Sequence, residues 1–307
     1  MAGNAPRLIR SLLIALVMGL LCLIGYELWS LNRPTAAGPL PNPNGYDSFV
    51  KATQQLSGEP RDYRDMNVEE LRALVATNAG VLGLVRLGLT QRCRVPIVLS
   101  TADLSAHIGA LADWKRLAFL LAARGELAKR EGRTNEAVAC CLDTMRFGRE
   151  CCRGGLMVDR LVGVAIESIG SASLLRLTSG LDAATAREAA KAIEQMDRNC
   201  EPLDDTLRTE REWSRRNFSF IERLWSGIPI PAWNRGRAAR QSFRRKIYGV
   251  QLQTRQAMID LAVRAFELDR NRYPAGLENL VPEYLAGVPV DPGTGSNMTY
   301  RPAGATR

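Results

Sequence analysis

One uncharged apolar stretch near the N-terminus constrains this chain more than any other feature. Residues 11–26 (SLLIALVMGLLCLIGY) carry no charge, and the apolar pattern continues to Leu31 with only Glu27 interrupting it. As a helix, residues 11–31 would be about 31 Å long, which matches the hydrocarbon core of a bilayer. Tyr26 and Trp29 lie at its end, where aromatic rings favour the membrane interface. We therefore predict a single transmembrane helix.

The residues around this stretch predict its orientation. Arg7 and Arg10 precede it, and basic residues favour the cytoplasmic side, so the bulk of the chain is expected on the other side. The alternative is a cleaved signal peptide with a small-residue site at residues 35–37. The apolar core is longer than in most signal peptides, and residues 27–33 separate it from that site. An uncleaved anchor is the favoured interpretation.

Beyond the predicted anchor and N-terminus (residues 1–31), the chain divides into three parts. Residues 32–45 are rich in proline and glycine and are typical of an extended linker. Residues 46–270 show helical periodicity, including a capping box at Asn67 and Glu70 and a helix over residues 183–198. Residues 271–307 form a tail of different composition. We predict an all-α fold, an irregular array of antiparallel helical hairpins.

Three further helical features belong to the central part. Residues 156–178 are apolar on nearly every side, with Gly163 and Gly170 allowing close approach of a neighbouring helix. Thr134 is predicted to cap the helix that it precedes. A long helix is expected over residues 237–269.

One hairpin resembles a known repeat. Gly125, Gly132 and Ala137 have the spacing of a tetratricopeptide repeat, and the match covers one repeat. Because stacked repeats need about three copies for stability, the resemblance implies one TPR-like hairpin within an irregular bundle.

The C-terminal tail resembles another family. Tyr273-Pro274, Leu280-Val281-Pro282, Pro289-Val290-Asp291-Pro292 and Tyr300 follow a long helix in the order found in type II secretion major pseudopilins. Independently of the resemblance, Pro274 and Pro282 bound a predicted short helix, residues 291–295 are expected to form a turn, and residues 297–301 can form a short strand. The chain as a whole looks like bacterial membrane-anchored helical proteins of undefined activity that end in the same tail. This second resemblance implies a single-pass protein of the bacterial inner membrane with a periplasmic domain.

His107 is the only histidine, and this scarcity restricts the possible chemistry. Metal sites with several histidines are excluded within one chain. We find no nucleophile elbow, no phosphate-binding glycine loop and no dinucleotide fingerprint. His107 is therefore expected to be structural or exposed, and no catalytic residue, metal ligand or cofactor is predicted.

Six cysteines lie outside the predicted anchor. The favoured interpretation is that they are small apolar residues at helix interfaces. The second interpretation is that some of them form a structural disulfide, and the least favoured is that they bind a metal ion. Cys140 and Cys151 are eleven residues apart on one predicted helix, so their Cα atoms would be about 16 Å apart. That distance is too long for a disulfide between them. The candidates are Cys93, Cys140, Cys141, Cys151, Cys152 and Cys200.

The formal charge of +9 is carried mostly by arginine, and one region mixes arginines with aromatic residues. Two amphipathic helices with buried aromatics explain this pattern, and we favour that interpretation. Alternatively, the region is an interaction face for an anionic membrane surface or an acidic protein. The candidate face comprises Arg208, Arg211, Arg215, Arg216, Arg223, Trp225, Trp233, Arg240, Arg244 and Arg245.

These features favour a membrane-anchored interaction or scaffold protein with a protein partner. Nucleic acid is not expected as a partner, because the domain is predicted to be exported. Two alternatives remain open: a carboxylate-dependent hydrolase of the envelope, and an accessory of a pseudopilin-type secretion system. An enzymatic role is the less favoured one.

Overall fold

A computed structural model describes residues 18–19, 25, 39–97, 101–217 and 232–300. The predicted anchor therefore lies outside the described residues, except for helical backbone at Met18, Gly19 and Gly25. By length and composition, no single described helix could cross a membrane, whereas the bent pair Val68–Thr77 and Ala79–Thr90 meets these criteria together.

The described residues are all-α, as the sequence predicts. The α-helices are α1 (Gly45–Gln55), α2 (Val68–Thr77), α3 (Ala79–Thr90), α4 (Thr101–Arg130), α5 (Thr134–Glu150), α6 (Met157–Leu175), α7 (Ala183–Arg198), α8 (Leu203–Asn217) and α9 (Ala232–Arg270). Helix α7 has the predicted bounds. The capping box of α2 also forms, since Asn67 Oδ1 accepts from the Glu70 amide at 2.9 Å and Glu70 Oε2 accepts from the Asn67 amide at 2.7 Å.

An aromatic core joins the first helices to the middle of the chain. The Phe49 ring of α1 lies edge-on to Phe147 of α5, with centroids 5.0 Å apart. Trp114 of α4 lies 6.3 Å from Phe49 and 6.0 Å from Phe147. Because edge-to-face rings add to the hydrophobic gain of burial, this cluster fixes α1 and α4 against α5.

Helices α5 and α6 approach closely through glycines. A Cβ atom on Gly148 would lie 2.5 Å from the Gly163 carbonyl oxygen, and one on Gly170 would lie 2.7 Å from the Cys141 carbonyl oxygen. Side chains at these positions would force the helices apart. The predicted role of Gly163 and Gly170 in close approach is confirmed.

Two predicted boundaries were wrong. Thr134 is the first residue of α5 and not its cap; Arg133 holds the N-cap position without a side-chain hydrogen bond. Helix α9 begins at Ala232, five residues before the predicted start, so Trp233 is helical. Helices α4 and α5 form the hairpin that resembles a tetratricopeptide repeat, and Gly125 lies close to Cys140 there. The repeat itself stays a prediction.

The C-terminal tail shares a core with α7 and α9. Leu277, Leu280 and Tyr284 are buried in the cluster that contains Phe266. The Tyr284 hydroxyl donates to Asp269 at 2.9 Å. Instead of the strand expected over residues 297–301, the part of the tail that is described shows one antiparallel bridge, between Val290 and Asn297.

Candidate functional site

A large cleft lies where α3, α5 and α7 end. Its volume is about 1120 Å³, and its wall comes from residues around positions 39–41, 89–94, 146–154 and 192–205. Arginines dominate the polar lining: Arg92, Arg94, Arg146, Arg149, Arg153 and Arg198. Three acids also line it: Glu150, Glu201 and Asp205.

The end of α5 supplies half of these arginines. Arg146, Arg149 and Arg153 are spaced by three and four residues, which places them on one side of the helix end. A helix C-terminus stabilises basic side chains there. That effect does not explain why arginines from two other segments converge on the same cleft. Gly154 then reverses the chain with a φ of 72°.

Arg149 lines the cleft and is almost fully buried. Its side chain is 4% exposed, and its Nη2 donates to Glu167 Oε1 at 2.6 Å. The Thr254 hydroxyl donates to the same oxygen at 2.8 Å. Burial alone would lower the pKa of Arg149, but Glu167 outweighs it and raises the pKa. Nε and Nη1 of Arg149 have no hydrogen-bond partner in the described part of the chain. A residue that lines the cleft therefore has two buried donors without a partner among the described residues.

The acids of the cleft are mostly engaged. Glu150 receives two hydrogen bonds from Arg153, at 2.9 and 2.6 Å. Both carboxylate oxygens of Glu201 accept from the Gly154 amide at 3.1 Å. These contacts hold the rim in shape and reduce the negative charge offered to a ligand.

Two arginines of the rim are exposed to solvent. Arg92 follows α3, and Arg146 lies 3.8 Å from Asp143, too far for a strong hydrogen bond. Neither side chain has a strong hydrogen bond within the described part of the chain, so both can turn toward an anion in the cleft.

All six cysteines are free thiols in the described residues, so a disulfide stays a prediction. Cys200 is partly exposed, and the other five are buried: Cys93, Cys140, Cys141, Cys151 and Cys152. Burial raises the pKa of Cys93 to about 12 and that of Cys140 to about 11. No group of three or more possible metal ligands occurs among the described residues.

His107 contacts an acid on a distant helix. Its Nε2 lies 2.6 Å from Asp159 Oδ1, and the two side chains are 11% and 1% exposed. The other Asp159 oxygen accepts from the Leu156 amide at 2.7 Å, at the start of α6. The hydrogen bond to Asp159 raises the pKa of His107 despite burial. This geometry fits the structural role expected from the sequence.

None of the described residues of the candidate basic face lines the cleft, although Arg208 pairs with Asp205 of the cleft wall. Arg208, Arg211, Arg215 and Arg216 are exposed on α8, and Arg240, Arg244 and Arg245 are exposed on α9. Arg223 and Trp225 lie outside the described residues, and only the backbone of Trp233 is described.

Several residues of this face have local partners. Arg208 pairs with Asp205, and Arg211 Nε donates to the Leu207 carbonyl of its own helix at 3.1 Å. Arg244 lies 3.5 Å from Asp204. The aromatic residues Trp213 and Phe243 are buried, as expected for amphipathic helices.

Sequence reasoning missed the cleft arginines. The spacing of Arg146, Arg149 and Arg153 by three and four residues was a usable signal, because residues so spaced fall on one side of a helix. Comparison with known proteins gave no match to a family model, a curated protein or a solved structure. The geometry of the cleft therefore carries the functional argument.

Proposed function

We propose that this chain is a membrane-anchored binding protein whose helical domain holds an acidic segment of a protein partner in the arginine-lined cleft. The observation that carries the proposal is Arg149, which lines the cleft, is almost fully buried, and has two guanidinium nitrogens without a hydrogen-bond partner among the described residues. A buried donor without a partner costs roughly 1–3 kcal/mol, and an anionic ligand would recover that cost.

Size and chemistry favour a peptide segment as the ligand. Drug-sized ligands occupy clefts of roughly 300–1,000 Å³. A cleft of about 1120 Å³ has room for several residues of an extended chain. Guanidinium groups bind carboxylates through two parallel hydrogen bonds, so glutamate and aspartate side chains suit this lining.

Binding accounts for the cleft better than carboxylate-dependent hydrolysis does. A hydrolase of that kind needs two acids that face the substrate from opposite sides. Here Glu150 holds Arg153, and Glu201 holds the amide of Gly154. These acids shape the rim instead of facing a substrate.

The anchor is part of the same proposal. Residues 11–31 would tether the domain to the inner membrane, with the cleft on the periplasmic side.

If the anchor is present, the protein should resist alkaline extraction from membranes. Protease should digest its helical domain in spheroplasts and spare it in intact cells. Extraction at alkaline pH, or protection of the domain in spheroplasts, would contradict the anchor and its orientation.

Peptide binding tests the proposed ligand. The full-length protein in detergent would be titrated with a fluorescent octapeptide of alternating glutamate and glycine, followed by anisotropy. The variant Arg92→Gln/Arg146→Gln removes two exposed rim charges. The matched control Arg215→Gln/Arg240→Gln removes two exposed charges from the basic face.

We expect the rim variant to bind at least about tenfold more weakly, because two charge-assisted hydrogen bonds are worth more than 1.4 kcal/mol together. The control should change affinity less than about twofold. Equal losses in both variants would show nonspecific charge attraction. A larger loss in the control would place binding on the basic face and refute the cleft.

A further inference from the structure

An open groove of about 380 Å³ lies between α6 and α9 and shares no lining residue with the cleft. Its apolar side chains are aliphatic: Leu161, Val164, Ala165 and Val250. Val164 is buried in a small core cluster, against which Leu161 and Val250 pack. The groove therefore opens onto the edge of an aliphatic core.

A second groove of about 600 Å³ adjoins the first, because Arg245 and Gly249 line both. It lies between α9 and the turn after Val290, and Tyr248 and Leu252 give it apolar surface. A Cβ atom on Gly249 would have no other atom within 4 Å. This glycine therefore leaves open space where the two grooves meet.

Basic side chains line both grooves. Lys246 lines the first groove, Arg244 lines the second, and Arg245 lines both. Arg245 and Lys246 are exposed and have no ion pair among the described residues, whereas Arg244 lies 3.5 Å from Asp204. Two positive charges thus border the aliphatic lining without an anionic partner in the described part of the chain.

The acids of the two helices do not compete for these charges. Helix α9 contains no acid from residue 232 to residue 259. On α6, Asp159 pairs with His107, and Glu167 pairs with Arg149. No acid lines the first groove, so its lining is cationic.

Acids outside these helices have partners as well. Asp291 lines the second groove, and its Oδ1 accepts from two amides of its own turn at 2.7 and 3.0 Å. On α8, Asp205 pairs with Arg208, and Glu210 accepts from an amide at the start of α6 at 2.9 Å. These carboxylates are therefore occupied.

The lining favours acyl chains over an extended peptide. Helices α6 and α9 pair their backbone amides and carbonyls internally, so a peptide in the first groove would find no backbone partner there. Acyl chains need no hydrogen bonds, and burying them against aliphatic side chains is favourable. Two adjoining grooves that share one basic residue fit a molecule with two chains and one anionic head.

We propose that these grooves bind an anionic diacyl phospholipid, with one acyl chain in each groove and the phosphate at Arg245 and Lys246. Both residue types bind phosphate oxygens through charge-assisted hydrogen bonds. The proposed membrane anchor would keep the domain beside such lipids. Because the site is separate from the arginine-lined cleft, the outcome of the peptide titration leaves this proposal unaffected.

Native mass spectrometry of the full-length protein in detergent tests the ligand, with phosphatidylglycerol, phosphatidylcholine and oleate as separate probes. Phosphatidylcholine has two chains and no net charge, and oleate has a charge and one chain. We expect phosphatidylglycerol to bind at least about tenfold more tightly than either. Equal affinity for the two phospholipids would refute the role of the basic residues. Binding of oleate as tight as that of phosphatidylglycerol would refute the two-chain ligand.

The variant Gly249→Leu tests the position of the chains. It should fold, because its Cβ has free space and leucine is a better helix former than glycine. The leucine side chain would fill the junction of the grooves, and losing contact with two methylene groups weakens binding about tenfold. The control Gly83→Leu, at an exposed glycine of α3 with the same free space, should change affinity less than about twofold. Unchanged binding in Gly249→Leu would overturn the proposal.

The variant Arg245→Gln/Lys246→Gln tests the head group. It should bind the two phospholipids with affinities within about threefold of each other, since the partners of the phosphate are gone. The control Arg215→Gln/Arg240→Gln should keep the native preference. Retained preference in the groove variant would contradict the phosphate position. Displacement of the lipid by an equal concentration of an amphipathic helix of leucine and glutamate would identify a helical protein as the occupant instead.

Discussion

Two arginine-rich regions of this molecule differ in almost everything except their charge. The basic face lies within one stretch of sequence, residues 208–245, and its arginines are exposed where the structure describes their side chains. The cleft draws arginines from three separate segments, and Arg149 is almost fully buried there. On the face, Arg208 has a neighbouring acid one turn away, whereas Arg149 reaches Glu167 on another helix.

The difference shows that charge density along a sequence does not define a binding site. Exposed ion pairs contribute about 0–1 kcal/mol, because water screens them. A buried charge depends strongly on its partner, since it has lost its hydration. The cleft combines buried donors with a concave surface. Ligand binding is therefore expected there, and the face is expected to serve mainly as a solvated surface.

Removing Arg149 should have the largest effect on stability. Arg149→Met leaves Glu167 buried with Thr254 as its remaining described hydrogen-bond donor. Breaking a buried pair in this way costs about 3–5 kcal/mol. Denaturant unfolding of the detergent-solubilised protein, followed by tryptophan fluorescence, measures this loss.

The double variant Arg149→Met/Glu167→Leu is the matched control, because it removes both charges. It should recover most of the stability, since an apolar pair can replace a buried ion pair at little cost. A loss below about 1 kcal/mol for Arg149→Met alone would remove the contrast between the two regions.

A change of pH should alter the contribution of His107 to stability and leave the contribution of the arginines in both regions unchanged. The hydrogen bond to Asp159 raises the pKa of His107, so its protonated form is stabilised in the folded state. This stabilisation is complete below the unfolded pKa of about 6.5 and is lost as the pH rises through the raised pKa. The arginines keep their charge throughout this range.

Unfolding of the native protein and of His107→Gln at pH 6 and pH 9 tests this linkage. The native protein should lose more stability on going from pH 6 to pH 9 than the variant does, because the variant has no group whose charge is held by Asp159. Parallel pH dependences would show that His107 and Asp159 do not couple.

The smallest effect is expected on the basic face. Arg208→Ala removes the pair with Asp205, whose side chains are 53% and 39% exposed. The free energy of unfolding should change by less than about 0.5 kcal/mol. A loss above about 1.5 kcal/mol in the same unfolding assay would mean that the face has a structural role comparable to that of the cleft.

Local features of this fold could be predicted from the sequence. The bounds of α7 follow from its alanine-rich periodicity, and the capping box at Asn67 follows from one four-residue pattern. Gly163 and Gly170 mark the close approach of two helices because only glycine leaves that space. These signals lie within single helices, where spacing alone carries the information.

Features that join distant segments could not be predicted. The contact between His107 and Asp159 spans 52 residues, and that between Arg160 and Cys200 spans 40. The sequence around each of these residues does not indicate which distant residue it contacts. The extended end of the tail was predicted as a strand, but the described residues form a single bridge, between Val290 and Asn297. Tertiary packing decided each of these cases.

Hydrogen–deuterium exchange of the full-length protein, with and without the acidic octapeptide, tests the central claim most directly. We predict slower exchange at residues 89–94, 146–154 and 198–202, which border the cleft. Exchange at residues 208–217 and 240–246, on the basic face, should stay unchanged. Protection confined to the basic face, or no protection in either region at saturating peptide, would contradict the account.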